Sequence, residues 1–172
     1  MINKFSLDHQ SQNYLIISSD IESRYEMVIT KLGEYFDKSV EKILENPDVM
    51  YVSLPVIDKS GNIISTLSNY ELQMREYGLL DKLDTNRIGN EITIDQIREV
   101  ISFTQISAHK NKKIVILNSA SDMNKEASSA LLKTLEEVSS NCTFILLASS
   151  LNSIAETIKS RCQVLQLSLI HI

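Results

Sequence analysis

A loop that cradles nucleotide phosphates needs glycines, so that successive backbone N–H groups can converge on the oxygens. It also needs a lysine followed by Ser or Thr for the β- and γ-phosphates and their Mg²⁺. None of the four glycines of this sequence, Gly33, Gly61, Gly78 and Gly89, is followed by lysine. The loop after the first apolar run reads S-S-D-I-E-S-R, from Ser18 to Arg24, and contains neither glycine nor lysine. Asp20 and Glu22 put negative charge where phosphates would have to sit, which opposes binding. His9, His109 and His171 share no metal-site spacing with Asp or Glu and read as surface or terminal residues. Cys142 and Cys162 make no metal quartet and lie beside no histidine in a nucleophile motif; Cys142 reads as a small buried hydrophobe. No enzymatic centre, cofactor, metal or small-molecule substrate is expected.

The elements that must carry these residues alternate in type. Short β-rich runs at Tyr14–Ser18, Val49–Leu54, Lys113–Leu117, Thr143–Ala148 and Gln163–Leu167 are separated by segments of helical period. Several runs are apolar almost throughout, as strands covered on both faces are. The pattern predicts a three-layer α/β fold: a five-stranded, mostly parallel sheet with helices on both sides. Tyr25, Val28, Ile29, Leu32 and Phe36 recur at helical spacing and define the first helix. Thr93 and Gln96 have capping-box spacing, and Ile92 and Ile97 that of a hydrophobic staple, so a helix starts there and runs through Val100 and Ile101. A further helix is expected from near Asp122, read as its N-cap, with Met123, Ala127, Ala130, Leu131, Leu135 and Val138 on one face. Ser153 and Glu156 suggest a capping box for a short helix over Ile154–Lys159. The segment Asp58–Glu91 has three of the four glycines and no clear pattern; it reads as an insertion with a short helix around Tyr70–Leu80.

At 172 residues the chain has the size of one domain, 1–172, with a substantial core. Its hydrophobic content of 43% and charged content of 23% are those of a globular protein. The net charge of −5 gives no general electrostatic reason to bind nucleic acid. No apolar run approaches membrane-spanning length, no secretory signal is evident, and two cysteines suit a reduced cytoplasm.

Three blocks in one order carry a resemblance. They are I-T-I-D-Q-I-R-E at Ile92–Glu99, A-S-D-M-N-K-E-A-S-S-A-L-L-K-T-L-E-E at Ala120–Glu137, and T-I-K-S-R-C-Q at Thr157–Gln163. A weaker fourth, N-P-D-V, lies at Asn46–Val49. Each alone is an ordinary capped or amphipathic helix or a surface arginine. Together they resemble the AAA+ module of the bacterial DNA polymerase III clamp-loader family, gamma and tau included, and most closely its delta-prime subunits. Departures are Ser129 where the family has Asn, and Val138 and Glu156 where it has Pro. The family's four-cysteine zinc insert has no counterpart in Asp37–Pro47.

The resemblance implies a P-loop-NTPase-like fold with a degenerate phosphate-binding loop. The Mg²⁺-binding and water-activating carboxylates of an active relative would follow the third strand, where this chain has Asn118 and Ser119. It therefore implies a subunit without ATPase activity of its own, supporting sliding-clamp loading in DNA replication. Its implied partners are gamma, tau and delta subunits, with the clamp and primed DNA met through the assembly. It further implies that Arg161, positioned by Ser160 and Cys162, acts as an arginine finger on ATP held by the next subunit; a plain salt bridge is the alternative. Arginine suits the role through its permanent charge and planar fork of donors. The sequence stops five residues after Leu167, where the family continues into a helical lid and a collar domain. A fragment, a shortened gene product, a decayed gene and a stand-alone interaction module that uses the insertion all remain open at this stage.

Overall fold

The computed structural model describes residues 5–8, 13–80, 87–110, 112–137 and 141–167. Five strands form one parallel sheet: β1 (Tyr14–Ile17), β2 (Val49–Val52), β6 (Lys113–Asn118), β7 (Cys142–Ala148) and β8 (Gln163–Gln166), in the spatial order β2-β6-β7-β1-β8. β7 is central, and β1 lies between it and the edge strand β8, with Tyr14 opposite Ile145 of β7 on one side and Gln163 of β8 on the other.

Period-two alternation sorts the strands' side chains into two cores. Tyr14, Ile16, Ile114, Ile116, Ile145 and Leu147 pack on one face with Val28, Ile29, Leu32 and Phe36 of α1 (Ile21–Phe36). Leu15, Ile17, Val115, Leu117, Phe144 and Leu146 pack on the other with α3 (Ile94–Gln105) and α4 (Lys125–Glu137) through Ile97, Val100, Ala127, Leu131 and Leu135. Each such buried aliphatic side chain stabilises the fold by about 1.5–3 kcal/mol, so this double burial defines the three-layer architecture. Ile92 and Ile97 are both fully buried at the start of α3, and the Gln96 side chain accepts from the Thr93 N–H at 3.1 Å.

The segment from Pro55 to Glu91 is more ordered than its sequence suggested. β3 (Pro55–Ile57), β4 (Ile63–Thr66) and β5 (Arg87–Ile88) form a separate antiparallel sheet in the order β4-β3-β5. The second apolar run, expected over Val49–Leu54, is strand only as far as Val52, and β3 begins just past it at Pro55. The turn between β3 and β4 is held by Asp58, whose carboxylate accepts from the N–H groups of Ser60 (2.8 Å) and Asn62 (2.9 Å), with Gly61 at φ 89°. α2 (Asn69–Glu76) has a full capping box between Ser68 and Glu71, and corresponds to the short helix expected near Tyr70–Leu80.

Candidate functional site

The loops at the carboxyl ends of parallel strands, beside the point where the chain's crossovers switch sides, form the usual ligand crevice of such sheets. Here they are Ser18–Arg24 after β1 and Ser119–Asn124 after β6. α1 begins at Ile21, and Asp20 is its N-cap: the carboxylate accepts from the Ser23 N–H at 3.1 Å and from the Ser23 hydroxyl. These bonds, the hydroxyl first, hold the Asp20 carboxyl below its ordinary range. The positive end of the helix dipole, where an anion would sit, is thus met by the chain's own anion.

Arg24 lies one turn on, in register with Ile21 and Val28 on the buried face. It is 2% exposed, and its Nη1 donates to the Ser18 carbonyl at 2.7 Å. Burial lowers its proton affinity, while Glu76, Asp20, Tyr51 and Asp122 raise it. The guanidinium therefore folds back onto the loop and braces it. The sequence reading overlooked this residue, although Ile21, Arg24 and Val28 have the spacing of one helical face.

Asn118 ends β6 fully buried. Its Nδ2 donates to Asn69 Oδ1 (2.9 Å) and to the Tyr51 hydroxyl (3.2 Å), and its Oδ1 accepts from the Ser119 N–H (3.1 Å). Both ends of the amide are committed within the chain. Asn69 belongs to α2, so that helix is tied to the crevice here. Gln73 of α2 makes a second tie, donating to Glu22 of α1 at 3.3 Å.

Asp122 is not the N-cap of α4. It ends a short 3-10 turn, Ala120–Asp122, and its half-buried carboxyl is pushed up by burial against the opposing pull of Arg75 and Arg24. The cap is Asn124, whose side chain accepts from the Ala127 N–H at 2.9 Å. Two residues separate the candidates, and the Asp122 carbonyl instead accepts from the Ile92 N–H at 2.8 Å. The capping box expected from Ser153 and Glu156 is also absent. Ser153 closes a 3-10 turn and donates its hydroxyl to the Ser150 carbonyl at 2.6 Å, and α5 (Glu156–Lys159) is preceded by Ala155.

Ser160, Arg161 and Cys162 form the turn between α5 and β8. Arg161 Nη1 donates to the Thr157 carbonyl (2.8 Å) and to Ser160 Oγ (3.1 Å), and Nη2 is ion-paired with Glu136 of α4. The Ser160 hydroxyl donates to the Thr157 carbonyl at 2.9 Å. Cys162 packs at the edge of the core, and burial pushes its thiol up to about 12. Because β8 runs parallel to β1 with Gln163 opposite Tyr14, Arg161 lies at the amino ends of the strands and Ser18–Arg24 at their carboxyl ends. The two sites are separated by the length of a strand, roughly 13 Å for four residues. Arg161 thus has no part in its own chain's crevice.

Of the histidines, His109 contributes its backbone N–H to Asp48, while His9 and His171 lie outside the described residues, as does Val138. Cys142 is buried in the core at the start of β7, as a small hydrophobe. No described helix is long and apolar enough to cross a membrane.

The strand order and the helices on both faces of the sheet define a fold of the AAA+, P-loop NTPase type. A family model described as DNA polymerase III, delta subunit, matches residues 71–171, more than half of the sequence, and the chain belongs to that family. The DNA polymerase III subunit delta' of Haemophilus influenzae is 42% identical over 81 residues, covering 46% of this chain and 25% of that protein. Replication factor C subunit 5 of Neurospora crassa is 28% identical over 143 residues, covering 82% of this chain and 38% of its own length. In fold, the chain is similar to a DNA polymerase III gamma subunit-related protein of Thermotoga maritima, with a TM-score of 0.58 at 20% identity over 98% of this chain and 43% of the other. The chain therefore spans about a quarter to two fifths of the length of these curated relatives.

Proposed function

We propose that this chain is the AAA+ module, with 58–91 as its insertion, of a cytoplasmic clamp-loader subunit of delta-prime type. It binds and hydrolyses no ATP itself, and offers Arg161 to ATP held by a neighbouring gamma or tau subunit while the assembly, delta included, loads the sliding clamp on primed DNA. The observation that carries the reading is the contrast between the two ends of the sheet. At the carboxyl ends Asp20 satisfies the helix N-terminus, Arg24 braces a loop without glycine or lysine, and Asn118 is committed to Asn69, Tyr51 and Ser119. At the amino ends a guanidinium reaches the surface on a short turn. The test has two arms. Calorimetric titration of the chain with Mg-ATP is expected to give no saturable heat at millimolar nucleotide, and a micromolar dissociation constant overturns the first half. Arg161→Ala in the full-length protein, assembled with its partners, is expected to slow clamp loading, and an unchanged rate overturns the second.

A second reading is favoured by one feature. Ile63, Ile64, Tyr70, Tyr77 and Leu79, all in the insertion, are exposed large hydrophobics within seventeen residues. Such a concentration suits an interaction module whose insertion meets a partner. Under that reading the chain retains no gamma or tau subunit in co-purification, and replacing Ile64 and Tyr70 by Ser abolishes whatever association it does make.

A further inference from the structure

Arg161 is already occupied within its own chain. Its Nη1 bonds to Thr157 and Ser160 come from its own turn and orient the guanidinium. The bond to Glu136 comes from a different helix and is the one that engages its charge. Glu136 itself lies in the last turn of α4, where the helix dipole disfavours an acid and where no basic residue is present to offset it. Arg161 is therefore its natural counter-ion. Both side chains are partly exposed, at 33% and 45%, so the pair is reachable from outside the module.

A carboxylate and a phosphate oxygen present the same chemistry to a guanidinium: an anionic acceptor for a charge-assisted hydrogen bond. With Nη1 donating to Thr157 and Ser160 and one Nη2 N–H to Glu136, three of the five N–H groups are taken, and the Glu136 carboxylate both offsets the charge and fixes the direction of the edge that a phosphate would need. We propose that Glu136 restrains Arg161, competing with the phosphate of the neighbouring subunit's nucleotide, so that the finger engages only as the Glu136 pair gives way. The inference rests on the trans-acting reading of Arg161. A partly exposed ion pair biases an equilibrium by no more than roughly fivefold, so Glu136 tunes engagement rather than forbidding it. Glu136 is a positioning residue, acting through Arg161 alone.

The test uses the full-length protein assembled with ATP-hydrolysing subunits, as four versions: unmodified, Glu136→Gln, Arg161→Ala and the double variant. The readouts are the maximal hydrolysis rate, which reports the finger, and the ATP concentration giving half of it, which reports the restraint, both taken at low and high ionic strength. Glu136→Gln is expected to lower that concentration roughly two- to fivefold at low salt. The difference should shrink as salt screens the pair, and should vanish in the Arg161→Ala background. If Glu136 only offsets a helix terminus, Glu136→Gln leaves the concentration unchanged. If it holds Arg161 in a productive pose, the concentration rises. Either result, with Arg161→Ala itself impaired, overturns the restraint and leaves the finger intact. If Arg161→Ala behaves as the unmodified protein, the finger reading fails and the restraint with it.

Discussion

The carboxylate of Asp48 accepts the backbone N–H of His109 at 2.8 Å, across 61 residues of sequence, and the N–H of Lys110 at the same distance. Asp48 stands immediately before β2, and the Ile114 N–H donates to its carbonyl at 2.8 Å. One residue thus fixes the loop that leads into β6 and starts the pairing of β2 with β6. The N-P-D-V block gains a physical reason for its aspartate, since a neutral side chain cannot accept two such bonds with full charge.

Asp48→Asn is therefore expected to lower stability by roughly 2–4 kcal/mol at neutral pH, because the carboxylate is 1% exposed and both of its N–H donors lose their ionised acceptor. Burial by itself raises this carboxyl, but the two N–H groups and the Lys113 ammonium outweigh it and hold it below the ordinary range. A depressed folded pKa means that the stabilisation is fully present above the unfolded value, about 3.9, and is lost as pH falls through the folded one. Urea midpoints of the two proteins should differ most at neutral pH and converge under acid. A gap that persists unchanged well below about pH 4 would remove charge from the explanation.

Asp20→Ala removes the N-cap of α1 and should cost about 1 kcal/mol in thermal or urea unfolding. It should not create nucleotide affinity, since the loop still lacks the glycines and the lysine that phosphates require. Saturable ATP binding by this variant would show that Asp20 alone closes the site.

The sheet and the three helices packed on it, α1, α3 and α4, were readable because their signal is burial. β6 and β7 are buried throughout, and their apolar runs stand out in the sequence. The Ile21, Arg24, Val28 spacing was readable in the same way, yet an arginine on an apolar face carries no sign of which carbonyl it will reach. The β3–β4 hairpin was missed for the opposite reason. β4 is exposed along most of its length, and its strands of three and four residues are too short to display a period. The D-K-S-G-N turn between Val56-Ile57 and Ile63-Ile64 was the available cue. At the candidate sites, residue types were legible and partners were not. Nothing in L-E-E marks Glu136, 25 residues from Arg161, as its counter-ion.

Gly89 lies where β5 crosses closest to β3. Its N–H donates to the Pro55 carbonyl at 2.8 Å, and a Cβ there would stand 2.7 Å from Cγ and 3.2 Å from Cδ of the stiff Pro55 ring. Gly89→Ala must push the two strands apart, at a cost of roughly 1–3 kcal/mol. Hydrogen exchange should show the damage confined to residues 55–66 and 87–89, with β6 and β7 as protected as before. Uniform loss of protection would instead mean that the small sheet unfolds as one unit with the large one.

Arg161→Lys separates charge from geometry at the residue on which the proposed function depends. Lysine keeps the positive charge and could still pair with Glu136, so folding and assembly should be unaffected. What it lacks is the planar fork that contacts two oxygens at once. An arginine supplied in trans to a GTPase is worth about 10³–10⁵ in rate, and the loss from one finger among several sites should be smaller in the whole assembly. Clamp loading and DNA-stimulated ATPase activity of the full-length, reconstituted assembly should therefore fall with Arg161→Lys nearly as far as with Arg161→Ala. The decrease should appear in the maximal rate. A lysine variant that retains the unmodified rate, beside an alanine variant that loses it, would show that Arg161 contributes charge alone. Two variants that both load clamps normally would leave Arg161 as the structural partner of Glu136 and nothing more.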